Sequence, residues 1–439
     1  MPKFKLSVLA LALISGILPA QTPAQKKAAR PMPASAYKLI RIKISGSTRY
    51  TPEQILAFSG LHIGDNVGDD NFKEVAGRLG ETGLFTNVAY SFTFSPSGTE
   101  VEFHLADNDK LVPAAFENLV WFSDDELRER LRASVPLFQG ELPLSGSLID
   151  TVADSLQAFL ALRGVESAKV EISRPGGDEG TINSVVYSVS GPTIRIRKLE
   201  FPGAKEAELP QLLNAAKREQ GDEYQRSKLR MFSRIDLAPI YLREGKLRVK
   251  FGNSEAKVVQ ETPQDVLVDA TIPVEEGGVY KLAALEWSGN KLMPVKKLAP
   301  LIHQQPGQVV DAVQLQADLD KVNLIYRTLG YINAKVYPRL ELDDAAGTAS
   351  YKLEVKEGDQ YKMGEVDIEG LDEKAKVRAR DAWALREGEP YDGSYAKNFL
   401  QSAKGALPNL NLRMTVHESV NESDKTVDVT LQFTVDSLP

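Results

Sequence analysis

Apolar and polar positions alternate in two stretches that share one layout. Tyr351, Leu353 and Val355 alternate with charged or polar neighbours, Glu357-Gly358-Asp359 turns the chain, and Val366 and Ile368 resume the alternation before Gly370. Residues 274–289 follow the same order: an apolar strand end at Val274, an acidic-glycine turn, Tyr280-Lys281, a second apolar run and a closing Gly289. The two closing glycines, at 289 and 370, are separated by 81 residues, and self-similarity at a fixed period marks a repeat array.

The rest of the chain fills in the unit. After Leu39, Ile42, Ile44 and Gly46, the run Thr51-Pro-Glu-Gln54 predicts a helix start with Thr51 as N-cap, Pro52 in the first turn and Gln54 closing the box, ending at Gly60. Gly64-Asp65 opens a second helical stretch with Phe72, Val75 and Leu79 on one face, stopping near Gly83. Val88, Tyr90, Phe92 and Phe94 then pair across Pro96-Ser-Gly98 with Val101, Phe103 and Leu105 as a hairpin.

Four further units read the same way. The second has Asn118 where the closing glycine is expected, a capping box at residues 123–126 and a helix over 148–162. The third places helices at 206–216 and 226–242 and pairs Leu247, Val249 and Phe251 with an apolar run over 266–274. The fourth has a helix over 313–329 and a strand run over Tyr331–Leu342, with Ile332, Ala334 and Val336 alternating, in which Pro338 marks a sheet edge. The fifth has helices near 373–384 and up to 404, then strands at 410–416 and 427–435. One apolar face per strand and one apolar stripe per helix predict small sheets with both helices on one side, an α+β architecture.

Composition fits this reading: 439 residues, 42% hydrophobic and 26% charged, are too many for one small core and suit about five units. Lys3 and Lys5, an apolar run over 6–18 and Pro19-Ala20 form the layout of a cleaved secretory signal, too short to span a bilayer. Residues 21–37, rich in Ala, Pro, Gln and Lys, read as a disordered tether. There is no cysteine, so disulfides, thiolate metal sites and lipid attachment at cysteine are excluded. Net charge is −7 with basic residues scattered among acidic ones, which argues against a nucleic-acid surface.

No catalytic or metal-binding constellation emerges. His62, His104, His303 and His417 fall in three units without metal-ligand spacing and read as surface residues, and Asp65, Asp69 and Asp70 read as helix-start acids. No Gly-x-Ser-x-Gly elbow or phosphate loop is present. Trp121, Trp287 and Trp383 read as core or inter-unit packing.

The β-α-α-β-β order, with Gly46, Gly203, Gly289 and Gly370 closing first strands, Gly64-Asp65, Gly221-Asp222, Gly307 and Gly388 before second helices, and Gly83, Gly245 and Gly330 after them, resembles the POTRA domain. The resemblance covers about 400 residues and implies an elongated array of five tandem domains, each a three-stranded sheet with two helices on one face. The expected boundaries are signal 1–20, tether 21–37, and domains over 38–109, 110–192, 193–278, 279–358 and 359–439. Tandem POTRA units resemble the periplasmic arm of outer-membrane β-barrel assembly proteins, although no residues are expected here for a barrel.

That resemblance implies a non-catalytic periplasmic scaffold or chaperone arm without cofactor or metal. It would bind unfolded outer-membrane proteins, or a separate β-barrel or assembly-complex protein, and touch the membrane only through partners. The expected binding edges are Lys246, Arg248 and Lys250, facing outward in unit three, and Ile332, Lys335 and Tyr337 in unit four, with guests adding as a strand. Lysines on an edge also serve to prevent such pairing. Alternatives are an interaction module of another envelope complex and a secreted hydrolase with an unrecognised site.

Overall fold

The computed structural model describes residues 33–176, 181–403 and 412–435. The expected signal sequence and most of the tether lie outside the described residues. The tether ends sooner than expected, because Ala34–Tyr37 forms a 3-10 turn. Ala36 is fully buried there, and the Thr99 hydroxyl donates to its carbonyl at 2.6 Å. The only side chain this turn buries is a methyl group, too little for hydropathy to register.

The elements recur in one order. Module one has β1 (Leu39–Ser45), α1 (Pro52–Ser59), α2 (Asp69–Glu81), β2 (Phe85–Ser95) and β3 (Gly98–Asp107). Module two has β4 (Leu111–Phe116), α3 (Asp124–Ser134), a short β5 (Glu141–Pro143), α4 (Ser147–Leu162), β6 (Lys169–Ser173) and β7 (Val185–Ser190). Module three has β8 (Thr193–Glu200), α5 (Leu209–Ala216), α6 (Arg226–Phe232), a π-helical turn Ser233–Leu237, α7 (Ala238–Leu242), β9 (Lys250–Phe251), β10 (Glu255–Glu261), β11 (Asp265–Thr271) and β12 (Val274–Glu275). Module four has β13 (Lys281–Ser288), α8 (Val295–Leu298), a 3-10 turn Ala299–Leu301, α9 (Ala312–Thr328), β14 (Lys335–Asp343) and β15 (Thr348–Lys356). Module five has β16 (Lys362–Glu369), α10 (Glu373–Ala382), α11 (Tyr395–Ser402), β17 (Leu412–Asn421) and β18 (Thr426–Val435). The chain is thus an α+β array of five β-α-α-β-β modules.

The described residues divide into two compact units, one comprising 33–112 with 132–151, the other 113–131 with the described residues from 152 onward. In the first, the sheet order is β1-β3-β2, with β1 parallel and β2 antiparallel to the central β3. The Thr51 box forms as the sequence predicts: the Gln54 N–H donates to the Thr51 hydroxyl at 3.3 Å, and the Thr51 N–H to the Gln54 side chain at 3.0 Å. Phe72, Val75 and Leu79 form the buried stripe of α2, and the Phe72 ring meets Phe103 of β3 edge-on at 6.5 Å.

In the second unit the orders β10-β11-β8, β13-β15-β14 and β16-β18-β17 repeat that topology, and β7 likewise pairs parallel to β4 and antiparallel to β6. Each of the last three modules has its own core. Leu229, Tyr241 and Val268 lie in that of module three, Leu319, Tyr326 and Leu353 in that of module four, and Phe399, Leu431 and Phe433 in that of module five.

Module three departs from its expected strand pattern. Residues 246–249 are not a strand, because their N–H groups close turns, Lys246 onto the Tyr241 carbonyl and Val249 onto the Lys246 carbonyl. The second strand of the sheet is β10, whereas β9 pairs only with β12. The apolar alternation at Leu247, Val249 and Phe251 has another origin: Leu247 packs against the core of module four, and Val249 and Phe251 against that of module three.

Candidate docking edges

In modules one, three, four and five the third strand is central and the two edges are the first and second strands, whereas module two, expected to have three strands, has a four-stranded sheet in the order β5-β4-β7-β6, with β5 and β6 at its edges. In four modules the first-strand edge is occupied by the chain itself. In module four, the Gly307 N–H donates to the Leu282 carbonyl (2.7 Å), the Leu282 N–H to the Gln308 carbonyl (2.8 Å) and the Val310 N–H to the Tyr280 carbonyl (3.0 Å). The same trio recurs at Gly64 on Leu39, Gly221 on Ile196 and Gly388 on Met363, each followed by a single bridge to the segment before the second helix. These backbone groups are paired, so no guest strand can use them.

The far end of the first strand is fixed by the closing glycine. Gly289 has φ +75°, and a Cβ there would collide with the carbonyl oxygen of Val355 on the central strand. Gly46, Gly203 and Gly370 have the same relation to Leu105, Val274 and Phe433. Both the left-handed backbone and the close approach demand glycine. Module two reaches the same end with a side chain: the buried Asn118 amide donates to the Val189 carbonyl (3.0 Å) and accepts from the Val189 N–H (2.7 Å).

The second-strand edges differ in how they are guarded. On β14, the Val336 N–H donates to the side-chain oxygen of Asn323 on α9 at 2.9 Å, so even-numbered residues turn their backbone groups to the free edge. Pro338, two residues on, therefore lacks the donor a guest would use, leaving only Leu340 and Leu342 as outward donors. On β6, Gln157 of α4 blocks the start in the same way, accepting from the Val170 N–H at 2.9 Å. On β10 the register slips between Val258 and Gln260, and the Trp121 indole N–H donates to the Glu261 carboxylate at 2.8 Å. The β17 pairing is unbroken from Leu412 to Asn421 but carries Arg413, His417 and Glu418.

The β2 edge carries only one of these guards, a register slip confined to its start, between Phe85 and Asn87. Its eleven residues contain no charge and no proline. Val88, Tyr90, Phe92 and Phe94 lie half-buried on the helix side, with Ala89, Ser91 and Thr93 exposed on the other. The Phe92 ring lies 5.1 Å from Phe94 and 5.3 Å from Phe72, and the Tyr90 hydroxyl donates to Asp69 at 2.7 Å. An edge of this kind pairs readily with another strand.

The residues expected at the edges are therefore dispersed. Lys335 and Tyr337 do lie on the edge strand β14, with Tyr337 exposed and flanked by the ammonium groups of Lys335 and Lys356 at 5.5 and 5.1 Å from its ring centre. Ile332 precedes the strand in a turn and packs against the core of module five, repeating what Leu247 does for module four. Lys250 is exposed but sits on β9, outside the three-stranded sheet. Arg248 is in the turn and is engaged by module four, donating to Asp344 at 2.9 and 2.8 Å and to the Tyr280 hydroxyl at 3.1 Å. Lys246, expected to face outward, is buried, with its ammonium against Glu208 and 3.0 Å from Glu276. Burial works against its charge, but the two carboxylates outweigh it and raise its pKa. For Glu276, burial pushes the pKa up, yet the Lys205 N–H and Lys246 bring it below the usual range. Sequence reasoning missed β2 as an edge because its alternation is that of any half-buried strand, though its lack of charge was legible.

Residues 280–358 match the POTRA family, described as surface antigen variable number repeat. Over 207 residues, 44% of the chain, the sequence is 23% identical to the outer membrane protein assembly factor BamA of Neisseria meningitidis, covering 25% of that protein. Over 81 residues, 18% of the chain, it is 37% identical to BamA of Nitratidesulfovibrio vulgaris, covering 10% of that protein. The aligned stretches thus span a quarter or less of these relatives. Among solved structures, the third to fifth POTRA domains of Haemophilus influenzae BamA align with 56% of this chain and 96% of theirs at 18% identity, with a TM-score of 0.43. The first three POTRA domains of Anabaena Omp85 align with 56% of this chain and 97% of theirs at 16% identity, with a TM-score of 0.25. The chain resembles a tandem POTRA arm of the kind found in BamA.

Proposed function

We propose that the chain is a non-catalytic scaffold for outer-membrane protein assembly that binds extended polypeptides by adding them as a strand to second-strand edges. The observation that carries this reading is the asymmetry of the sheets: in four modules the first-strand edge is closed by the chain's own backbone, while the opposite edge ends in a strand with one free side. The similarity to BamA supplies the context, with unfolded outer-membrane proteins or a separate assembly-complex protein as partners and the periplasm as the compartment.

The edges rank by what guards them. The β2 edge offers eleven uncharged positions, about the length of a transmembrane β-strand, and its aromatic and hydroxyl faces suit a guest that alternates apolar and polar residues. The β14 edge offers two donors and suits a short contact. Several weak contacts along one chain would add through effective concentration.

A photo-crosslinker placed in turn at Thr93, Arg339 and, as a helix-face control, Lys73 tests the reading with an unfolded outer-membrane protein segment. Adducts at Thr93 that exceed those at Arg339, and vanish when the segment is prefolded, are expected. Adducts confined to Lys73 would overturn it.

A further inference from the structure

We propose that the cleft between α6 with its π-helical turn and the facing segment 249–254 of module three binds an acidic, partly apolar stretch of a partner polypeptide. The cleft encloses about 370 Å³, room for a few side chains. Arg226, Arg230 and Arg234 line it at four-residue intervals, and no Asp or Glu is among its lining residues. Its floor is apolar, built by Leu229, Phe251 and Ile272.

Two of these three guanidinium groups, those of Arg230 and Arg234, reach the cleft without a carboxylate partner in a chain with 60 acidic and 53 basic residues. Nearby cations are neutralised, Arg218 by Asp236 and Lys228 by Asp222. Among the described residues, neither Arg230 nor Arg234 has a carboxylate within 4.0 Å, and both are exposed. Arg226 is only partly used: one terminal nitrogen meets Asp124 and the Phe116 carbonyl, while its buried Nε has no partner. Met231 and Ile235, beside the two free arginines in sequence, are 53% and 56% exposed. The π-helical turn follows directly, a local irregularity frequent at functional sites.

The chemistry selects the occupant. A guanidinium fork matches a carboxylate, and the partly enclosed, low-dielectric cleft strengthens that match. A free anion would leave the apolar floor uncovered, whereas a polypeptide with alternating acidic and apolar residues covers both. Spacing agrees: arginines four apart on a helix rise about 6 Å, and side chains two apart on an extended guest recur at about 6.6–6.8 Å. The proposal does not depend on strand addition, since the recognising groups belong to α6 and the π-helical turn.

The test uses the full chain and a fluorescein-labelled octapeptide alternating glutamate with phenylalanine or valine, beside its lysine counterpart. Fluorescence anisotropy is expected to show binding of the glutamate peptide, weakened about tenfold or more in the R230E/R234E variant and little changed in R339E on β14. Hydrogen exchange should show peptide-dependent protection in 226–238 and 249–254. The proposal is overturned if the two peptides bind alike, if R230E/R234E binds the glutamate peptide as before with its circular dichroism unchanged, or if sodium acetate at equal carboxylate concentration displaces the peptide. Binding to phosphatidylglycerol vesicles in place of the peptide would also overturn it.

Discussion

Gly289 and Gly307 sit in one module with similar left-handed backbones, φ +75° and +90°, yet different surroundings. A Cβ at Gly307 meets nothing within 4 Å, whereas one at Gly289 runs into the Val355 carbonyl. Gly307→Ala should therefore cost only the backbone term, about 1–2 kcal/mol. Gly289→Ala carries the same term plus overpacking of about 1–3 kcal/mol, because β13 and β15 are paired right up to the clash, Ser288 with Glu354, and moving apart there would break the end of that ladder. The expected totals are about 1–2 and about 2–5 kcal/mol. Peptide-resolved hydrogen exchange on the full chain isolates module four without assuming that all modules unfold together. Protection over β13 and β15 should fall about 5- to 30-fold for Gly307→Ala and by at least a further factor of about five for Gly289→Ala. Equal losses would show that the close approach to Val355 is not what requires glycine.

Asn118→Ala removes both side-chain bonds to Val189 from a buried site and should destabilise module two by about 2–4 kcal/mol, read as lost protection over β7. Lys246→Met leaves Glu208 and Glu276 buried without their cation and should cost about 3–5 kcal/mol by the same readout in module three. The folded-state pKa of Glu276 is depressed, so its contribution is present above the ordinary glutamate pKa of about 4.3 and is lost as pH falls through the folded value. Module three should lose stability below about pH 4, and Lys246→Met should flatten that acid-side slope. Ser91→Lys with Thr93→Lys places two charges on the exposed face of β2; thermal unfolding should change by no more than about 0.5 kcal/mol while guest crosslinking falls.

What the sequence discloses follows from where each residue's partners are. Thr51 to Gln54, the hairpin of β2 and β3, and the stripe Phe72, Val75 and Leu79 have local partners, and their spacing announces them. Leu247 and Ile332 look like strand residues because they alternate with polar neighbours, but their partners are in the next module's core, which no local period encodes. Lys246 reads as an outward charge until the fold brings Glu208 and Glu276 around it, 38 and 30 residues away in sequence. Pro338 correctly marks an edge, and only the bond from Val336 to Asn323 reveals that the proline removes a donor a guest would need. The edges themselves depend on strand order, and β2 stands out only when all five second strands are set side by side.

The most direct test of strand addition is a through-space contact between backbones. With the full chain deuterated, a carbon-13-labelled peptide of ten residues alternating apolar and polar side chains is added, and peptide-filtered nuclear Overhauser contacts to the chain are recorded. The account predicts main-chain contacts between the peptide and residues 87–95, recurring at every second position as in a sheet ladder, and their loss when Ser91 and Thr93 are replaced by lysine. Contacts to α2 side chains alone, with no ladder along β2, would contradict it.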